Sequence, residues 1–236
     1  MIRVPGRGRL TPPSDYEIHF PLTAPDGSLV EERTLPIALH SGNGRDIPLL
    51  MHLAKPLPWT AETPNLYALR VELLEERKVA HWCSLEVDFR EISTSNGVFR
   101  INGQVVKLKG VDHHDKYPDV GRATRPQDWL KDIQLMKAAN INFIRNSHYP
   151  PAEGFLDLCD KMGMYVEDEV PMEFDGDHTE DPSYMAATSL RVFETAARDK
   201  NHLSIVVWSV GNEDPVMPCI LRRCALLKAL TLHGRF

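Results

Sequence analysis

The sequence predicts an all-β sandwich followed by a parallel α/β domain. Before residue 97, apolar and polar residues alternate with the two-residue period of half-buried strands. After residue 97, short apolar strands alternate with segments of helical spacing, which is typical of a parallel sheet covered by helices. We therefore divide the chain into an unassigned segment 1–14, a β-sandwich 15–96, an α/β domain 97–213 and a C-terminal segment 214–236.

The predicted sandwich begins with a strand over Tyr16–Leu22, and a Pro-Asp-Gly turn separates it from Leu29–Val30. Tyr67–Leu73 alternates more strictly, with its odd-numbered residues on one apolar face, and Trp82–Phe89 repeats this period. Prolines between these segments exclude long helices. The pattern predicts about seven short strands in two sheets, a supporting module without chemistry of its own.

The α/β part is predicted from four apolar strands with helical segments between them. Pro126 suits the start of the first helix, and Gly163 suits the end of the second. Four β/α units are half of a (β/α)8 barrel, so this part is either an open sheet or a truncated barrel. The strands are Val105–Leu108, Ile141–Arg145, Tyr165–Val166 and Ile205–Trp208, and the helices are Pro126–Asn140, Ala152–Met162 and Tyr184–Lys200.

Composition limits the function classes. The 236 residues carry a net charge of −6, with 42% hydrophobic and 25% charged residues, as in ordinary globular proteins. The acidic balance argues against nucleic acid and against an anionic membrane surface as partners. The longest apolar stretch is too short for a membrane span, and no apolar segment follows the basic N-terminus. We therefore expect no signal peptide, a cytoplasmic location by default and four reduced cysteines without metal-finger spacing, Cys83, Cys159, Cys219 and Cys224.

Polar side chains follow each predicted α/β strand in the same direction. Because the carboxyl ends of parallel strands meet at one edge of a sheet, these side chains are expected to converge on a site. The four groups are Asp112-His113-His114-Asp115, then Arg145-Asn146-Ser147-His148-Tyr149, then Glu167-Asp168-Glu169 with Glu173 and Asp175, and finally Asn212-Glu213.

These residue types fit glycoside cleavage, which needs one carboxylic acid to protonate the leaving oxygen and a second carboxylate across the sugar. Glu213 follows the most apolar strand, where burial is expected to raise its pKa as a general acid requires. Asn212 offers a donor and an acceptor to a sugar hydroxyl. His114, Arg145 and His148 can bind other hydroxyls or hold carboxylates.

Structural roles are open for the same residues. Glu213 also fits an exposed loop acid or the cap of a following helix, and the His113-His114 pair fits a solvated turn. Arg145 also fits an ion pair with Asp168 or Glu169. The acids at positions 173 and 175 fit either a partial Mg²⁺ site or a solvated loop.

From about Pro58 to Glu213 the chain resembles glycoside hydrolase family 2, and within it the β-galactosidases. The resemblance implies an immunoglobulin-like β-sandwich followed by the first half of a (β/α)8 TIM barrel. It further implies hydrolysis of terminal non-reducing β-D-galactose residues with retention, a carbohydrate substrate and a parent family that is commonly homo-oligomeric. It is carried by Pro58-Trp59-Thr60-Ala61-Glu62-Thr63-Pro64, Lys109-Gly110-Val111-Asp112-His113-His114-Asp115, Asn142-Phe143-Ile144-Arg145-Asn146-Ser147-His148-Tyr149-Pro150 and Arg198-Asp199-Lys200-Asn201-His202, which leads to Gly211-Asn212-Glu213.

The resemblance also implies roles for single residues. Glu213 matches the acid/base, Asn212 its substrate-binding neighbour, and His114 and His148 match active-site histidines, the latter in contact with the galactosyl unit. Glu173 matches a ligand of the Mg²⁺-dependent members, in which the acid/base glutamate is a ligand too. Asp175 stands where the family usually has histidine, and its oxygen suits Mg²⁺ as well.

One expectation concerns the second carboxylate. The retaining mechanism needs a nucleophile about 5 Å from the acid/base. In the family it comes from a late barrel strand, so we expect no nucleophile in this chain and a segment 214–236 unlike the family. The alternatives are a β-glucuronidase-type hydrolase, an inactive fragment or interaction module, and a half barrel completed by a second chain.

Overall fold

The computed structural model describes residues 2–4, 16–37, 45–174, 181–214 and 218–232. It divides into two compact units, which are treated separately below. The first contains residues 1–57 and 65–89, and the second contains residues 58–64 and 90–236. The short segment 58–64 therefore packs with the second unit although both its neighbours in the chain belong to the first.

The first unit consists of two antiparallel sheets. Two of its strands bury alternate side chains, as the sequence predicts: Ile18, Phe20 and Leu22 in one, and Tyr67, Leu69 and Val71 in the other. The small sheet pairs β1 (Ile2–Val4) with β4 (Arg45–Ile47), and the larger has the order β3 (Leu29–Ile37), β2 (Tyr16–Thr23), β5 (Tyr67–Glu75) and β6 (Lys78–Val87).

The core of this unit lies on one face of the larger sheet. Ile18, Phe20 and Leu22 of β2 are buried against β5, and partly buried residues around Leu49 and Leu53 pack over them. Burial of alternate positions on one face of an antiparallel sheet is the arrangement expected for a sandwich.

The second unit opens with a meander of β7 (Ile92–Ser95), β8 (Val98–Ile101) and β9 (Gln104–Val105). The predicted strand Val105–Leu108 is wrong. Asn102 and Gly103, with φ of +51° and +76°, form a two-residue turn that returns the chain along β8, so Val105 ends a hairpin.

A four-stranded parallel sheet follows, in sequential order and with a helix after each strand. The helices and the later strands lie close to their predicted positions, which confirms the half-barrel pattern. The elements are β10 (Gly110–His113), α1 (Pro126–Ala138), β11 (Phe143–Asn146), α2 (Glu153–Met162), β12 (Tyr165–Glu169), α3 (Pro182–Asp199), β13 (Ile205–Ser209) and α4 (Pro218–Leu232).

The parallel strands divide their side chains between two faces. One face packs on helices α1 and α2, with Ile144, Phe155 and Val166 fully buried between them. The other face carries Asp112, Arg145 and Glu167, which lie side by side in register on neighbouring strands. Strand alternation therefore puts Ile144 and Val166 towards the helices and these three charged residues on the inner face.

The segment 58–64 is anchored in the second unit by Trp59. This side chain is fully buried, its Nε1 donates to the Asp160 carbonyl at 3.0 Å, and its ring meets Tyr165 edge-on at 5.8 Å. The Asp160 carboxylate in turn accepts from the Ser204 backbone N–H at 2.6 Å and contacts His202 Nδ1 at 2.9 Å. The Asp160 carboxylate thus joins His202 and Ser204 in the turn before β13.

Helix α4 is the main addition to the sequence-based prediction, which left 214–236 without structure. Leu227 is buried among Val170, Val192 and Ala196. Arg223 Nη1 reaches Asp214 Oδ2 at 3.0 Å, and both side chains are buried. The apolar face of this segment thus belongs to the second unit's core. In the described parts of the chain, no helix is both long and apolar enough to span a membrane.

Candidate active site

The site forms at the carboxyl ends of the parallel strands, around the carboxylate of Glu169. Glu169 is the last residue of β12, is fully buried, and accepts from Arg145 Nη2 at 2.8 Å and Nε at 3.2 Å. Ser209 Oγ, at the end of β13, donates to the same oxygen at 2.8 Å. The other oxygen lies 2.6 Å from His148 Nδ1. A buried carboxylate that faces four hydrogen-bonding groups is fixed in place.

Arg145 connects this carboxylate to its neighbours. Besides Glu169, its guanidinium reaches Asp112 Oδ1 at 3.4 Å, Glu167 Oε1 at 3.6 Å and Asn212 Oδ1 at 3.0 Å. Burial alone lowers the pKa of Arg145, but the hydrogen bonds and charge of Glu169 outweigh it and raise the pKa overall. Of the two ion pairs expected for Arg145, the structure contains the one with Glu169.

Glu167 shares the inner face with Arg145. Burial raises the pKa of its carboxyl, Arg145 opposes this, and the Glu169 and Asp112 carboxylates add to the rise. One guanidinium therefore faces three carboxylates on the inner face of the described strands. This face carries an excess of negative charge.

Asp168 points the other way, as strand alternation requires, and takes no part in this cluster. It is fully buried, and Asp199 of α3 is buried near it. Arg198 binds both oxygens of Asp199 and also donates to the Pro151 carbonyl at 2.7 Å. Burial and the Asp199 charge raise the pKa of Asp168 well above its ordinary value.

His148 and His114 stand together beside the carboxylate cluster. Nδ1 of His148 faces Glu169, and its Nε2 lies 4.0 Å from Glu173 Oε1. The His114 ring meets the His148 ring edge-on at 5.6 Å and the Tyr149 ring at 6.4 Å. The expected pairing of these two histidines in one site is thus seen, with Tyr149 as a third ring.

His113 lies on the opposite face from His114. Its ring stacks on Phe155 at 5.0 Å, and its Nε2 contacts Asp132 Oδ2 at 3.2 Å. Because β10 runs over Gly110–His113, His113 belongs to the strand and points towards the helices. The solvated turn considered for it is wrong, since only 8% of His113 is exposed.

Asn212 is held by both its backbone and its amide. Its backbone pairs with Glu173, and its N–H donates to the Met172 carbonyl at 2.9 Å. The side-chain oxygen accepts from Arg145 and the amide nitrogen donates to Glu173 Oε1 at 3.3 Å. Gly211 precedes it at φ +143°, and a Cβ there would lie 2.7 Å from Asp214 Oδ2. The turn therefore favours glycine at position 211.

Glu213 follows Asn212 directly, with a φ of +52°, and its side chain is exposed. The burial that the sequence predicted for it is not found, because the chain leaves β13 at Ser209 and Glu213 lies beyond the strand end. The residue before it, Asn212, is the one that pairs with Glu173.

The predicted metal ligands are only partly described. Glu173 is half-exposed and its Oε1 is bonded to Asn212. Asp175 lies outside the described residues. Glu173 and Glu213 provide carboxylate oxygens on two backbone segments that pair with each other, and this is the donor type that Mg²⁺ prefers. The chemistry of these two donors therefore fits Mg²⁺.

Two parts of this arrangement were missed from the sequence. Ser209, a direct donor to Glu169, follows the predicted strand Ile205–Trp208 and has no role in the sequence-based prediction. Glu169 itself was predicted as a member of a strand-end group and as a possible ion-pair partner of Arg145, but not as the centre of the cluster. The alternation of side chains along a strand could have identified Glu169. Glu167 and Glu169 share a strand face with Arg145, whereas Asp168 does not.

Known proteins similar to this chain were found by sequence and by structure. Residues 92–231 match the family described as "Glycosyl hydrolases family 2, TIM barrel domain", and residues 8–90 match "Glycosyl hydrolases family 2". The first match runs past Glu213 and includes most of the segment that we had expected to be unlike the family.

Curated relatives carry the name β-galactosidase. That of Vibrio vulnificus (strain YJ016) is 41% identical over 170 residues, which are 69% of this chain and 16% of the relative. That of Yersinia pestis bv. Antiqua (strain Angola) is 39% identical over 171 residues, 70% of this chain and 16% of the relative. The chain thus spans about one sixth of the length of these relatives.

Solved structures with a similar fold include two β-glucuronidases. The Parabacteroides merdae enzyme has a TM-score of 0.80 at 21% identity, and the matched region covers 92% of this chain and 29% of the enzyme. The Bifidobacterium dentium enzyme has a TM-score of 0.75 at 26% identity, and the matched region covers 92% of this chain and 36% of the enzyme. A family 2 member from Bacteroides cellulosilyticus has a TM-score of 0.79 at 26% identity, with 94% and 29% covered.

Proposed function

The chain belongs to glycoside hydrolase family 2, and from this we propose that its natural polypeptide hydrolyses terminal non-reducing β-D-galactose residues with retention of configuration. The observation that carries the proposal is the position of Asn212-Glu213. This dipeptide is tied by backbone pairing to Glu173 and by an amide hydrogen bond to Arg145, beside the Glu169–His148 pair. The galactoside preference is supported by the names of the curated relatives at about 40% identity.

In this proposal Glu213 is the acid/base. Its carboxyl protonates the glycosidic oxygen as the bond to the leaving group breaks, and its carboxylate then takes a proton from water in the second half of the reaction. The nucleophile carboxylate required for retention is assigned to a part of the polypeptide outside this sequence. Exposure of Glu213 gives the leaving group and water access to it.

The remaining residues hold the sugar. Asn212 has both a donor and an acceptor, and the Arg145 and Glu173 bonds fix which atom faces which way. His148, oriented by Glu169, presents its Nε2 to the site, and His114 stands beside it for another hydroxyl. Fixed donors of this kind act by positioning the substrate against the acid/base.

Glu173 and Glu213 would hold Mg²⁺, with Asp175 as a third oxygen ligand. When bound there, the ion would supply positive charge that orients the acid/base carboxylate. Every proton transfer remains with Glu213 and water.

The test is turnover of aryl β-galactosides by the natural polypeptide and by its Glu213→Gln variant. We expect the variant to lose about 10²–10⁴-fold in kcat/KM with a poorly acidic leaving group. The loss should shrink with an acidic phenol, which departs without protonation. A variant with unchanged turnover, or a loss independent of the leaving group, would remove Glu213 from the acid/base role.

A second candidate is β-glucuronidase activity, favoured by the likeness to the Bifidobacterium dentium enzyme. Galactosides and glucuronides with the same aryl group discriminate between the two. A kcat/KM that is higher for the glucuronide would replace the galactoside proposal with this one.

A further inference from the structure

A tyrosine and an arginine extend the site from the histidine pair towards solvent. The Tyr149 ring lies beside His114, and the guanidinium carbon of Arg122 lies 5.0 Å from the centre of that ring. Arg122 is exposed. The order along this wall is therefore His148, His114, Tyr149 and Arg122, from the strand ends outwards.

The loop that carries Arg122 is anchored at several points. Tyr117 and Gly121 exchange two backbone hydrogen bonds of 2.9 and 2.8 Å, which close a small turn just before Arg122. The Asp115 N–H donates to the Tyr149 hydroxyl at 3.1 Å, and Thr124 binds the Asp115 carboxylate at 3.2 Å. Arg122 is thus held over Tyr149 by fixed backbone on both sides.

The charge of Arg122 is not used within the described structure. Asp119, in the same loop, is bound by Arg125 at 2.9 Å, and Arg125 also binds Asp128 at 2.8 Å. Among the residues that the structure describes, no ion pair joins Arg122 to a carboxylate. A guanidinium stacked on an aromatic ring keeps its edge N–H groups free to bind an anion.

We propose that Arg122 binds a negatively charged substituent on the leaving group of the β-glycoside substrate. The inference rests on the proposed function: a terminal sugar that reacts beside Asn212 occupies the strand ends, so the leaving group extends outwards past Tyr149. Exposed carboxylates in the site, such as Asp112 and Glu173, would repel such a group. A cation at the outer rim offsets this repulsion and favours leaving groups that carry a negative charge over uncharged ones.

The experiment compares two umbelliferyl β-galactosides, one with a methyl group and one with a carboxylate on the coumarin ring. The quantity measured is the ratio of kcat/KM for the acidic and neutral substrates, using the natural polypeptide. For Arg122→Gln we expect this ratio to fall about tenfold, the worth of one charge-assisted hydrogen bond. Arg122→Lys keeps the charge and should recover much of the ratio. Added salt should reduce the ratio in the unmodified protein.

Arg125→Gln is the matched control, because it removes the same charge from the same loop but faces Asp119 and Asp128. Its ratio should stay close to that of the unmodified protein. An unchanged ratio in Arg122→Gln, or an equal fall in Arg125→Gln, would overturn the inference while leaving the proposed function intact. Absence of turnover of both galactosides by the unmodified polypeptide would instead overturn the proposed function and this inference with it.

Discussion

The guanidinium of Arg145 meets the fully buried carboxylate of Glu169 across two neighbouring strands, with Nη2 and Oε2 2.8 Å apart. This pair fixes the inner face of the half barrel at the point where β11 and β12 end. His148, Ser209 and Asn212 each bond to one of its two members. Fold stability and site geometry therefore depend on the same ion pair.

Glu169→Gln should lower both stability and activity. The substitution removes the charge that four donors face and points an amide N–H at the Arg145 guanidinium, so we expect a loss of about 3 kcal/mol in the free energy of unfolding. Urea unfolding followed by tryptophan fluorescence measures it, since Trp59 and Trp129 are buried in the same unit. The control is Glu62→Gln, an exposed position that should change stability little. A variant as stable as the unmodified chain would contradict the role given to the buried pair.

The alternation of side chains along a strand explains which parts of the fold and the site could be predicted from the sequence. The apolar strands and the helices were visible in the sequence because their periods of two and 3.6 residues differ. The acids 167–169 follow one another, and their division between two faces depends on β12 running through Glu169. The predicted strand ended at Val166, so the inner and outer acids could not be told apart.

The loops after the strands were predicted less well than the strands. Glu213 was expected to be buried because β13 is apolar, but its exposure is decided by a turn with φ of +143° at Gly211 and +52° at Glu213. Helix α4 was missed because its apolar residues lack a clear one-sided pattern. Only the tertiary partners of Leu227 and Arg223 show which face is buried.

Gly163→Ala should destabilise the second unit. Gly163 ends α2 at φ +72°, and a Cβ there would lie 2.3 Å from the Ala61 carbonyl oxygen, a backbone atom that cannot turn away. We expect a loss of about 2–4 kcal/mol in the free energy of unfolding, from backbone strain and displacement of the segment 58–64.

Gly97→Ala separates these two contributions. Gly97 has nearly the same φ, +71°, but nothing lies within 4 Å of its Cβ position. It should show the strain alone, about 1 kcal/mol. Equal losses in the two variants, measured by urea unfolding, would show that the approach to Ala61 has no energetic weight.

Under the proposed function, Glu173→Gln should weaken the response of the galactosidase activity to Mg²⁺. A neutral amide is a poorer ligand than a carboxylate, so the Mg²⁺ concentration for half-maximal galactosidase activity should rise about tenfold or more. Activity of the natural polypeptide is measured after chelation and titration back with Mg²⁺. Glu194→Gln, on the exposed side of α3, serves as the control. An identical Mg²⁺ response in both variants would argue against Glu173 as a ligand.

His19 should make the stability of the first unit depend on pH near neutrality. Its two ring nitrogens lie 3.0 Å from Glu72 and 3.0 Å from Glu32. Burial alone lowers the pKa of His19, but the hydrogen bonds and charges of Glu72 and Glu32 outweigh it and raise the pKa above 6.5. The stabilisation is therefore complete below pH 6.5 and is lost as pH rises through the raised value.

His19→Gln removes this dependence. We expect the unmodified chain to exceed the variant in stability by about 1 kcal/mol below that pH, and by less in alkaline solution. Hydrogen exchange of peptides from β2 and β5 reports on this unit. A constant difference across pH would mean that the histidine is not charged in the folded state.

Asp168→Asn should reduce the pH dependence of the second unit's stability. Two carboxyls, Asp168 and Asp199, are fully buried near each other, and the Arg198 guanidinium binds both oxygens of Asp199. Burial, reinforced by the Asp199 charge, raises the pKa of Asp168 well above 3.8. Its contribution to stability is complete below pH 3.8 and declines as pH rises towards the raised value.

An asparagine is neutral at every pH and nearly isosteric, so it should lack this decline. We expect the variant to gain stability relative to the unmodified chain as pH increases from about 4 to 8, by about 1.4 kcal/mol for each pH unit over which Asp168 stays protonated. Glu194→Gln, at an exposed acid on α3, is the control and should follow the unmodified chain. Parallel stability curves for the unmodified chain and Asp168→Asn would show that Asp168 is ionised in the fold, and would require a cation besides Arg198 to face it.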